Sequence, residues 1–504
     1  MRKLLLLIAV LLLPVSLAAG CGDTGEAASG ASELVPAGAV MYGEANLKPA
    51  GDQRQAIDSI LAKFTGGAGA GGKLKDLIEK GLQKSNAPIS FKKDVEPWLG
   101  DEAAFFASGV GQNGRLEATA GLIATDDEAK ARDALEKSAE GKTEKHDYKD
   151  VEYLTDSTGE AGAVFDGFLV LGSEAGVKAA IDASKDGPTL SADDDYKKAT
   201  EDAASDRLGL FYVNSPEFVR AARETGTPLP DSFNKLFQEP VVVTADADDD
   251  GVVFEGKVPA SLARSFAFFG ESSDLLRELP ADSWLALGQK DLGKLMDFYV
   301  DAFAGIAGGR DAIEGQFKAA TGLDLQRDVL SWMGDFGIFV RGTSLANLDG
   351  AFVVQTSDEA ASRRFLAALE RLAKTQSQGN GEFRPRSGGF TIAIPDVPKP
   401  IYAFVQDGKV VFAYGDAAAK DAVSPANRLG DSQEFTSVKD SLGDYNVSFF
   451  MLVKPILDLV DSTSARDDAD WQDARPYLEP LNALVGGTSG SGDDLKSAFK
   501  LIVK

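Results

Sequence analysis

Two aspartates bracket a tryptophan in Asp94-Val95-Glu96-Pro97-Trp98-Leu99-Gly100-Asp101, and the arrangement returns in Asp328-Val329-Leu330-Ser331-Trp332-Met333-Gly334-Asp335. Asp94, Trp98 and Asp101 thus recur with identical spacing as Asp328, Trp332 and Asp335. Duplicated carboxylates beside an indole suit twin binding sites or a carbohydrate platform. They equally suit a structural task, in which each indole anchors a core and each Gly-Asp step turns the chain into the next strand, and that is the expectation.

Other segments carry the outline of a chemistry without its essential atoms. Gly67-Ala68-Gly69-Ala70-Gly71-Gly72-Lys73 approaches a phosphate-binding loop, but Leu74 stands where a magnesium-binding hydroxyl belongs, and the preceding segment has a helical rather than a strand pattern. Asp246-Ala247-Asp248-Asp249-Asp250-Gly251 opens like a calcium loop, yet Lys257 occupies the place of the closing bidentate glutamate. The apolar runs on either side predict a hairpin turn instead. His146 is the only histidine, so neither a Ser-His-Asp triad nor a multi-histidine metal site is expected. Gly487-Thr488-Ser489-Gly490-Ser491-Gly492 has loop composition and no strand-to-helix elbow. No metal, no cofactor and no catalytic constellation is expected.

Cys21 is the sole cysteine. Upstream lie Arg2 and Lys3, an apolar run from Leu4 to Leu17, and the small residues Ala18-Ala19-Gly20. These are the parts of a secretory signal. The run is shorter than the ~20 apolar residues that span a bilayer, and Pro14 interrupts it. A cysteine directly after the small residues resembles the bacterial lipobox, in which the thiol is acylated, the signal (1–20) is removed and the cysteine becomes the new N-terminus. Residues 21–32, rich in Gly, Ala and Ser, are expected to form a flexible tether. An acylated Cys21 leaves no thiol for a disulfide or a metal.

Hydrophobic residues make up 44% and charged residues 26% of the 504, which suits ordinary globular material with more than one core. The net charge is −26 and becomes more negative once Arg2 and Lys3 leave with the signal. That sign opposes nucleic-acid binding, which relies on clustered Lys and Arg, and opposes adsorption to anionic headgroups. Membrane attachment therefore falls to the lipid.

The elements that must position these residues come in two sets. Glu33 onward opens with Leu34-Val35-Pro36-Ala37-Gly38, and a second opening stands at Glu278-Leu279-Pro280-Ala281-Asp282. Thr125-Asp126-Asp127-Glu128 is matched by Thr356-Ser357-Asp358-Glu359, each predicting a helix that the Thr caps and the Glu closes as a capping box. Asp166-Gly167 and Asp407-Gly408 each separate two apolar runs, a hairpin signal. Strand-length runs, such as 118–124 and 168–171, alternate with helical patterns at 126–139, 174–184 and 357–373. Few adjacent strands are separated by a helix-length crossover. The expected class is α+β: two tandemly duplicated units, 33–260 and 278–504, of mostly antiparallel sheet with packed helices. Residues 261–277, with Phe266, Phe268 and Phe269, are expected to pack between the copies.

The opening Leu34-Val35-Pro36-Ala37-Gly38-Ala39-Val40-Met41-Tyr42, the paired Trp-x-Gly-Asp segments and Leu279-Pro280-Ala281-Asp282-Ser283-Trp284 together resemble a bacterial family of exported proteins, the domain of unknown function 3352. The resemblance implies a cell-envelope setting over nearly the whole mature chain and supplies no catalytic residue. The expectation is a non-enzymatic, lipid-anchored binding or scaffold protein on the outer face of the bacterial cell membrane, whose partner is an envelope protein or an apolar small molecule and not a nucleic acid. The alternatives are a carrier that shelters an apolar or lipid ligand in or between the units, and a hydrolase built on two carboxylates. A buried apolar cavity would favour the first and two carboxylates converging in a cleft the second.

Overall fold

Phe168-Leu169-Val170-Leu171 alternates across a sheet whose two faces are both covered, so each residue is buried although the run has no polar side. The same pattern repeats along the chain. The computed structural model describes residues 30–504 apart from 65–74, 76–78, 81, 83–88, 140, 228, 230–233, 235–236, 258–269, 305–306, 378–380 and 491–494. Cys21, the Gly67–Lys73 stretch and most of 261–277 lie outside these residues.

The chain divides into two units, Met1–Leu229 with Phe237–Val258, and Pro230–Leu236 with Pro259–Lys504. The strands of the first are β1 (Met41–Asn46), β2 (Leu99–Val110), β3 (Leu116–Thr125), β4 (Glu144–Tyr148), β5 (Val151–Thr155), β6 (Glu160–Phe165), β7 (Phe168–Ser173), β8 (Gly209–Val213), β9 (Val241–Asp248) and β10 (Gly251–Lys257). They lie in the order 10-9-8-1-2-3-7-6-5-4, every pairing antiparallel. Successive residues feed two cores. Ala104, Phe106, Leu122 and Val170 face the helices Glu174–Lys185 and Asp194–Thr200. Ala103, Ile123, Leu169 and Leu171 face Trp98 and the helix Glu128–Ser138.

In the second unit the strands are β11 (Leu285–Gln289), β12 (Met333–Arg341), β13 (Asp349–Thr356), β14 (Glu382–Arg386), β15 (Gly389–Ala393), β16 (Ile401–Gln406), β17 (Lys409–Tyr414), β18 (Asn446–Leu452), β19 (Leu481–Ser489) and β20 (Lys496–Val503). Their order is 20-19-18-11-12-13-17-16-15-14, again wholly antiparallel and the same as in the first unit when counted from its first strand. One face packs on the helices Asp416–Asp421 and Gln433–Asp440, the other on Trp332 and Glu359–Gln376. The class is α+β with antiparallel sheets, as expected. Of the segment 261–277, residues 270–277 are described, and Leu275 and Leu276 among them join the core of the second unit.

Both Asp-Gly steps make the predicted hairpins. Asp166 and Gly167 between β6 and β7 have φ of 48° and 76°, and Asp407 and Gly408 between β16 and β17 have 51° and 72°. Two successive positive φ values define the turn that matches strand twist, and Asp followed by Gly tolerates them best.

Candidate functional site

The duplicated motifs meet one another within each unit, and their side chains are committed there. Phe91–Val95 forms one turn of π-helix, in which Ser90 Oγ accepts from Lys93 N, Asp94 Oδ2 accepts from Ser90 N at 2.8 Å, and Trp98 Nε1 donates to the Asp94 carbonyl. Leu325–Val329 repeats the arrangement: Asp324 Oδ1 accepts from Arg327 N at 3.0 Å, Asp328 Oδ2 accepts from Asp324 N at 2.9 Å, and Trp332 Nε1 donates to the Asp328 carbonyl at 2.9 Å. The carboxylates therefore close capping boxes, and the indoles, 1% and 2% exposed, are core anchors. Lys137 beside Asp94 holds its carboxyl below the usual range, and Arg327 brings Asp328 down to about 2.

The Thr-x-Asp-Glu motifs differ from expectation in two respects. Asp127 and Asp358, not the threonines, cap the helices, accepting from Lys130 N at 3.1 Å and Ala361 N at 2.9 Å. Thr125 and Thr356 instead take the amides of those aspartates, at 3.1 Å each. Glu128 and Glu359 do not reach back to the cap; they accept from Gly167 N at 3.1 Å and Gly408 N at 2.9 Å in the hairpins. A glycine amide left free by its tight turn is a stronger claim on the carboxylate than the cap, which Asp already satisfies. The tryptophan carbonyls complete each cluster, Trp98 O accepting from Asp126 N and Trp332 O from Ser357 N.

The remaining motifs resolve as structure. Asp246–Gly251 spans the end of β9 and its turn into β10, where Asp248 Oδ1 accepts from Asp250 N. His146 on strand β4 stacks on Tyr153 at 5.0 Å and pairs with Thr155 Oγ1 at 2.9 Å. Asp282 holds the buried Arg341, which also meets Asp349 at 2.6 Å and Asp421 at 2.9 Å. Among the described residues no three His, Cys, Asp or Glu side chains gather in an arrangement able to hold a metal.

The last of the predicted aspartates part company. Asp335 accepts from Ser273 Oγ at 2.5 Å and from Asp291 N at 3.3 Å. Asp101 instead lines a cleft of about 550 Å³ in the first unit, with Glu44, Glu102, Tyr196 and Arg207. Glu44 lies on β1, where register sets it opposite Ala104, and Glu102 lies two residues earlier on β2, so both side chains leave the same face. Glu44 accepts from Tyr42 Oη at 2.6 Å and is ion-paired with Arg207. Glu102, 5% exposed, accepts from Ala31 N at 3.2 Å. Burial pushes its carboxyl up to about 8, and the Glu44 charge adds to the rise. Burial likewise raises Tyr42, Tyr196 and Tyr212 above the ordinary phenol range.

Glu44, Glu102, Tyr196 and Arg207 belong to no local sequence motif, although the two openings differ in a way that carries a signal. Tyr42 pairs with Phe106 on one side and Tyr212 on the other, and Ala286 pairs likewise with Phe339 and Phe450. Ala286 therefore holds the place of Tyr42, and Gly288 that of Glu44. Tyr196 meets Tyr212 edge to face at 5.1 Å and 83°, and Phe435 meets Phe450 at 5.4 Å and 77°. The aromatic frame is common to both units. Hydroxyls and carboxylates occur on it in the first alone, and the Tyr212 hydroxyl, like Arg207 Nε, is buried without a hydrogen-bond partner among the described residues.

The chain matches the family described as protein of unknown function (DUF3352) over residues 4–466 and belongs to it. No curated protein and no solved structure matches the chain.

Proposed function

We propose that this chain is an exported binding protein, held by lipid on Cys21 at the outer face of the bacterial membrane, and that it takes a small polar ligand in the cleft of its first unit. The reading is carried by the placement of Tyr42, Glu44, Tyr196 and Tyr212 on a frame that the second unit builds from Ala286, Gly288, Phe435 and Phe450. Packing alone is met by phenyl rings, so buried hydroxyls and carboxylates, each of which must be compensated, have another use. Strand order, paired capping boxes and paired hairpins support descent of both units from one by tandem duplication, the second remaining a scaffold. A volume of 550 Å³ is in the range of small-molecule sites, and the hydroxyls, amide and charges of the lining suit a polar guest better than a lipid.

The acidic pair also gives hydrolysis a foothold, because a protonated Glu102 near Glu44 is the composition of an acid and base pair. Binding is preferred because Glu44 is anchored by Arg207 and Tyr42 and Glu102 by the Ala31 amide, which fixes the pair as a rigid acceptor for a ligand rather than as a mobile acid and base. A thermal-shift screen of small polar metabolites on the mature protein tests the reading. A ligand should raise the melting temperature of wild type and leave Glu44→Gln unmoved. Turnover of a glycoside or ester abolished by Glu102→Gln would replace binding with hydrolysis.

A further inference from the structure

The cleft has more carboxyl groups than cations in its lining. Glu44, Asp101, Glu102 and Asp206 line it against Lys48 and Arg207. Lys48 is drawn to Asp126, 2.9 Å away, and Arg207 to Glu44. Glu102 is nearly inaccessible yet lies on the wall of an open cavity, with one carboxyl oxygen on the Ala31 amide. Burial also raises Asp246, on β9 of the same unit, and Asp206 adds to the rise. Glu102, buried beside Glu44, keeps its proton when no cation is present to replace it. The register of β1 against β2 points Glu44 and Glu102 into the same space from neighbouring strands, a spacing an ammonium or guanidinium can bridge.

Resting on the binding-protein reading, we infer that the cleft takes a small organic cation, an ammonium or guanidinium held by Glu44, Asp101 and Glu102, with the hydroxyls of Ser32, Ser191 and Thr200 as further contacts. Neutral polyols would use the hydroxyls and leave the carboxylates uncompensated. Anions would meet net repulsion. Entry of the cation displaces the proton of Glu102 to solvent, so that binding and deprotonation are one event.

The test is calorimetric titration of the mature, detergent-solubilised protein with 4-aminobutylguanidine, whose guanidinium stays charged through pH 9, beside glucose and succinate as neutral and anionic probes. The expected result is stoichiometric binding of the cation alone, about tenfold tighter at pH 9 than at pH 7, with a proton released at pH 7. Glu102→Gln, isosteric and able to keep the Ala31 contact, should bind more weakly at pH 9 and lose the pH dependence; Glu44→Gln should weaken binding at both. Cation binding that is indifferent to pH and to both substitutions overturns the assignment. Binding of glucose or succinate in place of the cation overturns the cationic class and leaves the cleft standing, whereas no binding by any probe counts against the class and the binding reading together.

Discussion

Glu102 is a carboxyl whose chemistry departs far from its ordinary behaviour. Its carboxyl titrates at about 8 in the folded chain against 4.5 ordinarily, so between those values the native protein holds a proton that the unfolded chain releases. The contribution of this group to stability is full below pH 4.5 and is lost as pH rises through 8. Glu102→Gln removes the dependence. The melting temperature of the variant relative to wild type should climb between pH 5 and pH 8 and level off above, as thermal denaturation across that range would read; a constant difference would show that Glu102 titrates normally. Nothing in the sequence near Asp101-Glu102 announced this, because the shift comes from burial under the Ala31 turn and from Glu44, far away in the chain. Arg341 poses the complementary case. It is 9% exposed and compensates Asp349, itself 7% exposed, so Arg341→Met strands a buried carboxylate and should cost about 3–5 kcal/mol in chemical denaturation.

At the scale of elements, the clusters formed by the π-turn, the helix cap and the Asp-Gly hairpin explain why those motifs are the ones that recur. Each links three backbone segments through groups that would otherwise be unpaired, so the residue types are fixed by hydrogen-bond geometry rather than by a ligand. Trp98→Ala and Trp332→Ala should each cost about 3–5 kcal/mol through the cavity left behind, while Asp94→Ala, which opens one capping box, should cost about 0.5–2 kcal/mol. Equilibrium unfolding of the three variants distinguishes the sizes, and a neutral Trp98→Ala would contradict its role as an anchor. Helices 128–138, 174–185 and 359–376 lie within a few residues of their periodicity, and the buried strands follow their apolar runs. The exact caps did not follow, because Thr and Asp two residues apart both satisfy the local rule and only the hairpin glycine decides between them. The cleft was hidden for a related reason: Glu44, Glu102 and Arg207 are brought together by strand order, which no local pattern encodes.

For the whole molecule, the proposed export and anchoring rest on the segment ending at Cys21, and no described helix is long and apolar enough to cross a membrane. Cys21→Ser should shift the protein out of the membrane fraction, or leave the precursor uncleaved, with the fold of the mature part intact by circular dichroism. A wild-type chain that fractionates as soluble without acyl mass would remove the anchor from the account. The central claim, that an anchored protein holds a small polar ligand in its first unit, is tested most directly by native mass spectrometry of the protein extracted from membranes. Acyl mass at Cys21 is expected, with a non-covalent adduct, on the order of a few hundred daltons, that is present on wild type and missing from Glu44→Gln. A wild-type protein carrying no adduct, or an adduct retained in full by Glu44→Gln, would contradict it.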